Sequence, residues 1–133
     1  MNRVKIIIAD DHRIFINGLL LILNDEPWIE IVDVANDGKE LLSLLSSVTP
    51  DLILLDVNMP LMNGMDAAMH IKRSYPKVKI VMLSTYSEDH LIEKARKTGV
   101  NGYLLKNCEK DELLETIRLV MSGHTSFPYR APS

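Results

Sequence analysis

The chain has 133 residues, 47% of them hydrophobic, with a formal net charge of -3 and a pI of about 5.8. This length and composition predict one domain with a central core. The acidic balance gives no electrostatic footprint for nucleic acid. No apolar run reaches the roughly 20 residues of a membrane helix. Since the single Cys108 cannot form an intramolecular disulfide, we expect a cytoplasmic protein.

Apolar strands alternate with helices in the first half of the chain. Val4–Ala9 is a β-branched apolar run typical of a strand, and residues 14–23 are apolar and long enough for a helix. Ile29–Ala35 again predicts a strand. Residues 36–38, Asn-Asp-Gly, supply a turn and a cap for a second helix, which is rich in leucine.

The middle of the chain holds the stretch around which the predicted sheet is organised. Residues 52–55 are consecutive apolar residues, too few for a helix, and they lie between Pro50 and a turn-forming segment at 58–64. Such a run predicts a strand covered by helices on both faces. Asp56 follows it directly, and ligands bind outside the carboxyl ends of the strands in such sheets. Asp56 is therefore the first candidate for a functional residue.

The second half of the chain repeats the alternation. A helix begins near Met65, residues 79–83 predict a fourth strand, and a fourth helix follows that Gly99 can cap. Gly102–Leu105 is a short fifth strand, and residues 111–122 predict the last helix. Repeated strand-then-helix units joined by short loops predict an α/β fold, a three-layer sandwich with a five-stranded parallel sheet.

The end of the chain differs from the rest in composition. Residues 124–133 carry two prolines and have no apolar periodicity. We interpret them as a C-terminal tail or the start of a linker that follows a domain at residues 1–123.

Polar side chains follow four of the predicted strands. Asp10 and Asp11 end the first strand, Asp56 the third, Ser84 the fourth and Lys106 the fifth. The carboxyl ends of parallel strands share one edge of a sheet, so these residues are predicted to meet. Two carboxylates about 4 Å apart repel by about 4 kcal/mol at an effective dielectric of about 20, so three of them need a cation beyond Lys106 or must bind protons. A negative pocket of oxygen ligands selects Mg²⁺, or Mn²⁺ in its place.

Each of these residues has a simpler explanation when it is taken alone. Asp11 can cap the helix that follows it, Ser84 can be an ordinary hydroxyl at a strand end, and Lys106 can be solvated. Tyr103 can be a packing residue. Their joint arrival at one edge favours a functional site. The histidines show no ligand spacing and are predicted to be surface residues: His12, His70, His90 and His124.

Five segments of the chain resemble a known family. They are residues 8–12 (Ile-Ala-Asp-Asp-His), 50–60 (Pro-Asp-Leu-Ile-Leu-Leu-Asp-Val-Asn-Met-Pro), 63–64 (Asn-Gly), 82–84 (Met-Leu-Ser) and 102–106 (Gly-Tyr-Leu-Leu-Lys). Over about residues 4–123 the chain closely resembles the receiver domain of bacterial two-component response regulators. The resemblance implies a flavodoxin-like sheet with its strands in the order 2-1-3-4-5.

The resemblance also implies a role for each strand-end residue. Asp56 would accept a phosphoryl group from a sensor histidine kinase, and Lys106 would pair with that group. Mg²⁺ would be held by Asp11, Asp56 and the main-chain carbonyl of Asn58, with Asp10 in support. The chain would not be an enzyme. It would be a phosphoacceptor switch that assists its own phosphorylation and slow dephosphorylation.

Two further residues are implied as the conformational switch. The Ser84 hydroxyl would turn towards the phosphoryl group, and Tyr103 would move into the space that Ser84 leaves. This movement would change the surface formed by the fourth helix, the fifth strand and the fifth helix.

Two features resemble the subfamily of receivers that precede a helix-turn-helix DNA-binding domain of the LuxR/NarL type. They are Asp-Asp-His at residues 10–12 and Asn107, rather than proline, after Lys106. This predicts control of transcription, with DNA bound only through an output domain absent from this chain. The alternative is a stand-alone receiver that acts as a phosphorylation-dependent interaction module. An Asp-nucleophile phosphatase of the haloacid dehalogenase type would have Asp-x-Asp, whereas residues 56–58 are Asp-Val-Asn.

Apolar residues that the core does not need predict self-association. The first helix is apolar on almost every side, and the last helix adds further apolar positions. We therefore expect a phosphorylation-dependent homodimer whose contact includes Ile16, Leu20, Leu23, Leu114 and Met121. The alternative is that these residues are buried under a neighbouring loop.

The predicted lifetime of the phosphoryl group depends on what surrounds it. In receivers, access of water is governed largely by the residues two beyond the acceptor and two beyond the switch hydroxyl, here Asn58 and Tyr86. Asn58 cannot act as a general base, Tyr86 is bulky enough to cover the approach, and Thr85 crowds the same side. We expect slow self-dephosphorylation.

Overall fold

The computed structural model describes residues 2–85 and 88–128, and the apolar runs of the sequence form its strands. Over these residues the chain forms five strands and five helices that alternate strictly. They are β1 (Val4–Ala9), α1 (Arg13–Leu23), β2 (Ile29–Ala35), α2 (Gly38–Leu45), β3 (Leu52–Asp56), α3 (Gly64–Ser74), β4 (Lys79–Ser84), α4 (Asp89–Thr98), β5 (Gly102–Leu105) and α5 (Lys110–Met121).

The strands of this described part are all parallel and lie in the order β2-β1-β3-β4-β5. The predicted fold class and strand order are therefore confirmed. β3 is the central strand, with Leu54 beside Ile8 of β1 and Val81 of β4. Parallel strands must be joined by a crossover connection, which usually contains a helix, and each connection between consecutive strands of this sheet contains one.

Each face of the sheet has its own hydrophobic core. Ile53 and Leu55 belong to the core under α2, α3 and α4, and Leu52 and Leu54 belong to the core under α1 and α5. Successive side chains of a strand point to opposite faces, and a core covers each face of this sheet. All four side chains are therefore fully buried. Each such side chain contributes about 1.5–3 kcal/mol on burial. We expect Leu54→Ala to cost about 2–5 kcal/mol of stability.

Local capping fixes where several helices begin and end. The Asp37 side chain accepts a hydrogen bond from the Glu40 amide at the start of α2, and the Asn63 side chain accepts one from the Asp66 amide at the start of α3. Gly99 ends α4 in the left-handed conformation with φ of 95°, as the sequence predicts.

Gly64 allows the first turn of α3 to pack against the end of β3. A Cβ atom at this position would clash with the main-chain carbonyl oxygen of Asp56. The Gly64 amide donates a hydrogen bond to the Val57 oxygen at 2.8 Å. The helix therefore begins in direct contact with the main chain of the candidate functional residue.

The exposed apolar face of α1 differs from the prediction. The residues expected to form a homodimer contact are buried or partly buried within the domain: Ile16, Leu20, Leu23, Leu114 and Met121. The residues that remain outside are Ile14 and Leu21, which are 89% and 79% exposed. Because α1 is apolar nearly all round, its pattern could not fix which side faces the sheet.

The segment after α5 is partly folded onto the domain. That residues 124–133 are a tail or the start of a linker stays a prediction, and residues 129–133 lie outside the described residues. Within the described part, Ser126 forms a parallel bridge with Gly102 of β5. Phe127 packs against the core on the α4 side. Two main-chain hydrogen bonds between Ser126 and residues 101 and 103, together with the partly buried Phe127 ring, hold this segment, and neither contact follows from periodicity. Nowhere in the described ranges does a helix combine the length and the apolarity needed to cross a membrane.

Candidate functional site

The predicted strand-end residues meet at one edge of the sheet. Asp56 is the last residue of β3 and Ser84 the last of β4, and both are buried. Asp10 follows β1 and is also buried, with its amide bonded to the Ala35 oxygen of β2 at 3.0 Å. The Lys106 amide donates to the Ser84 oxygen at 2.8 Å, which extends the β4–β5 ladder by one residue. The sheet itself therefore positions these groups.

The Lys106 ammonium group lies between two buried carboxylates. Its Nζ is 2.8 Å from Asp10 Oδ2 and 3.4 Å from Asp56 Oδ2, and its side chain is only 8% exposed. The same Nζ lies 4.8 Å from the centroid of the Phe15 ring, so an aromatic face covers one side of the ammonium. Lys106 thus neutralises part of the pocket and points its charge at Asp56.

Burial changes the acidity of Asp56. The pKa of this carboxyl is raised from its usual 3.8 to about 6, first by burial and then by the neighbouring charge of Asp10. Lys106 and the Asn58 amide, which donates to Asp56 Oδ1 at 3.1 Å, oppose the rise. At neutral pH the carboxyl is mostly ionised, but its charge is destabilised. A further cation beside it would relieve this cost.

The pocket has the ligands for a divalent cation. Asp10, Asp11, His12 and Asp56 each offer a ligand atom, and these atoms lie within 4.8 Å of one another. Among the described residues, Asp10 Oδ2 and Asp56 Oδ2 accept no hydrogen bond of good geometry, although both face the Lys106 ammonium. Buried carboxylate oxygens that accept no such hydrogen bond suit a hard cation such as Mg²⁺. The residues present fit the predicted metal.

The roles predicted for Asp11 and Asn58 differ in their support. Asp11 belongs to the acidic cluster, and its side chain is 38% exposed at the mouth of the pocket. Asn58 is exposed, and its amide contacts Asp56 as described above. That the Asn58 carbonyl binds the metal stays a prediction.

His12 is the residue of this site that the sequence interpretation missed. It was predicted to be a surface residue because the histidines show no ligand spacing, and its side chain is indeed 58% exposed. Its Nδ1, however, lies 2.7 Å from Lys106 Nζ and 3.1 Å from Asp10 Oδ1. Its amide also donates to Asp10 Oδ1 at 2.8 Å. The available signal was its position directly after two acids at a strand end.

Ser84 and Tyr103 are in contact across β4 and β5. A side-chain hydrogen bond joins them, and Tyr103 is only 1% exposed. Burial raises the pKa of the Tyr103 phenol, and the bond to Ser84 opposes that rise. We expected Tyr103 to move inward after phosphorylation, but its ring already lies inside. Thr85 is exposed, and Tyr86, on which the predicted shielding depends, lies outside the described residues.

Comparison with known proteins identifies the family of this chain. The model of the response regulator receiver domain matches residues 6–118. The chain is 38% identical over 122 residues to the transcriptional regulatory protein DegU of Brevibacillus brevis, which covers 92% of this chain and 52% of that protein. It is 35% identical over 123 residues to the oxygen regulatory protein NreC of Staphylococcus carnosus, which covers 92% of this chain and 57% of that protein.

A solved structure agrees with these matches. A two-component response regulator of the LuxR family from Aurantimonas superposes with a TM-score of 0.89 at 26% identity, over 94% of this chain and 89% of that one. The chain spans a little over half the length of the curated relatives cited here, 52% and 57%. With the family model matched over most of its length, the chain belongs to the family of response regulator receiver domains.

Proposed function

We propose that Asp56 accepts a phosphoryl group from a phosphohistidine of a sensor kinase. The observation that carries this proposal is the buried Asp56 carboxylate, whose Oδ2 lacks a hydrogen bond within the described residues and faces the Lys106 ammonium. An Asp56 oxygen would attack phosphorus, the bond from phosphorus to the imidazole nitrogen would break, and the released imidazole would take up a proton. The product is an acyl phosphate.

Each neighbouring residue has a defined part in this transfer. Lys106, held 2.8 Å from Asp10, would pair with the phosphoryl oxygens. Asp10, Asp11 and Asp56 would hold Mg²⁺ or Mn²⁺, which supplies charge neutralisation on the transferring oxygens. Gly64 allows the first turn of α3 to lie against the Asp56 main chain, because a Cβ atom at this position would clash with the Asp56 carbonyl oxygen.

The switch and its output complete the proposal. Ser84 would bond the new phosphoryl oxygens, which alters its contact with Tyr103. DegU and NreC are named as regulatory proteins and are longer than this chain, so we propose that residues 1–123 form the receiver and 124–133 begin the connection to a DNA-binding output domain. Transcription would be the output in the cytoplasm, rather than a stand-alone interaction module.

We keep two finer features as proposals. Phosphorylation would strengthen a homodimer, whose contact we now assign to the exposed Ile14 and Leu21. Self-dephosphorylation would be slow, because Asn58 is exposed at the rim and has no group that can act as a base.

The direct test uses a small-molecule phosphodonor in place of the kinase. We expect mass spectrometry after incubation with Mg²⁺ and acetyl phosphate to find one added phosphate, on the peptide that contains Asp56. Asp56→Asn should abolish the adduct, while Asp25→Asn, at an exposed position, should leave it unchanged. Steady turnover of many phosphate esters without an Asp56 adduct would instead support a phosphatase of the haloacid dehalogenase type.

A further inference from the structure

The segment after α5 lies along the outer edge of β5. The Ser126 amide donates to the Asn101 oxygen at 2.9 Å, and the Tyr103 amide donates to the Ser126 oxygen at 2.9 Å. Together they make the parallel bridge between Gly102 and Ser126. The edge of the sheet, which would otherwise offer these groups to another chain, is therefore occupied at this point by the protein's own backbone.

A turn and an aromatic anchor hold the segment in place. Gly123 has a φ of 99°, which turns the chain back after α5. Phe127 then packs against the core under α4, with the Arg96 guanidinium 4.4 Å from its ring centroid. Residues 124–128 thus cross from the end of α5 to α4, and we call them the C-terminal strap.

The strap is bonded to the residue that carries the switch phenol. The Tyr103 main chain donates to Ser126 on one side, while its hydroxyl is hydrogen-bonded to Ser84 on the other. Ser84 ends the strand next to the one that ends in Asp56. A continuous set of bonded groups therefore leads from the acceptor pocket to the strap, and the Tyr103 ring is buried within it.

We propose that the C-terminal strap docks on β5 and α4 to hold Tyr103 in its buried position, so that strap docking and phosphorylation of Asp56 favour the same state of the domain. This inference rests on the proposed function. Coupling of two binding events is reciprocal: phosphorylation tightens the strap to the degree that the strap favours phosphorylation. The strap then reports the state of Asp56 to the residues that follow it in the chain.

The test compares variants of the strap in the full chain. Phe127→Ala removes the anchor, and Thr125→Ala is the matched control, because Thr125 is exposed in the same segment. Arg96→Gln removes the cation over the ring from the α4 side and provides a second variant if Phe127→Ala folds poorly. Amide spectra during titration with beryllofluoride at fixed Mg²⁺ measure affinity for a phosphoryl mimic. Hydrogen exchange of the Ser126 and Tyr103 amides measures docking.

We expect beryllofluoride to slow exchange of both amides in the wild type. Phe127→Ala and Arg96→Gln should weaken beryllofluoride affinity, by about fivefold for the former, and Thr125→Ala should not. Equal affinities in the wild type and in a folded Phe127→Ala variant would overturn the inference while leaving the proposed function intact. A wild type that does not bind beryllofluoride at all would overturn the proposed function, and with it the coupling.

Discussion

Neutralising the acceptor should make the domain more stable. We consider Asp56→Asn, which keeps the shape of the carboxyl but cannot ionise. In the wild type the pKa of Asp56 is raised from 3.8 to about 6 by burial and by Asp10. The pKa of Asp56 in the folded state lies above its pKa in the unfolded state. The contribution of protonated Asp56 to the free energy of unfolding is therefore fully present below pH 3.8 and is lost as the pH rises through about 6.

The size of the effect follows from the shift. A rise of about 2 units at about 1.4 kcal/mol each lowers the free energy of unfolding by about 3 kcal/mol once Asp56 is fully ionised. Asp56→Asn avoids this cost. In the absence of metal we therefore expect the variant to exceed the wild type by about 3 kcal/mol near pH 8 and to converge with it near pH 4.

Urea denaturation in the presence of a chelator measures the difference at both pH values. Asp25→Asn, which removes the same charge from an exposed position, is the matched control and should not show the effect. Millimolar Mg²⁺ should then stabilise the wild type near pH 8 and narrow its gap to Asp56→Asn, because the cation offsets the crowded carboxylates. An Asp56→Asn variant that is no more stable than the wild type near pH 8 would refute the reasoning.

Three further outcomes test other parts of the structure. In sedimentation with beryllofluoride, Leu21→Glu should keep the protein monomeric, because it places a charge on the exposed side of α1. The control, Ser46→Glu at the C-cap of α2, should still form the dimer. A Leu21→Glu variant that also forms the dimer would exclude the face of Ile14 and Leu21 as the contact. Gly64→Ala should lower stability by about 1–3 kcal/mol in urea denaturation, because its Cβ meets the Asp56 main chain, and an unchanged midpoint would contradict that contact. Tyr86→Ala should shorten the lifetime of phosphorylated Asp56, measured by decay of the adduct; an unchanged lifetime would remove the shielding argument.

The sequence was sufficient where local pattern and sheet topology act together. The apolar run at 52–55 predicts the central strand, and strand polarity then brings Asp10, Asp56 and Lys106 to one edge, as observed. Neither step needs knowledge of distant contacts, because a parallel sheet aligns the carboxyl ends of all its strands.

The sequence failed where the outcome depends on packing between distant residues. The rotation of α1, which exposes Ile14 rather than Ile16, is set by the sheet beneath a helix that is apolar on most sides. The pairing of Ser126 with Gly102 uses main-chain groups, which carry no side-chain signal. His12 was missed because its place beside Lys106 depends on the turn that starts α1.

The position of the acceptor strand has a mechanical consequence. β3 is hydrogen-bonded on both edges and buried along its whole length, whereas β5 has β4 on one side and the Ser126 bridge on the other. We therefore expect a charge added at the end of β3 to displace the rim of the sheet more than β3 itself, because a close-packed buried strand has little room to move. We expect local opening in hydrogen exchange to be slowest at β3 and faster at the two edge strands, β2 and β5, and at the C-terminal strap.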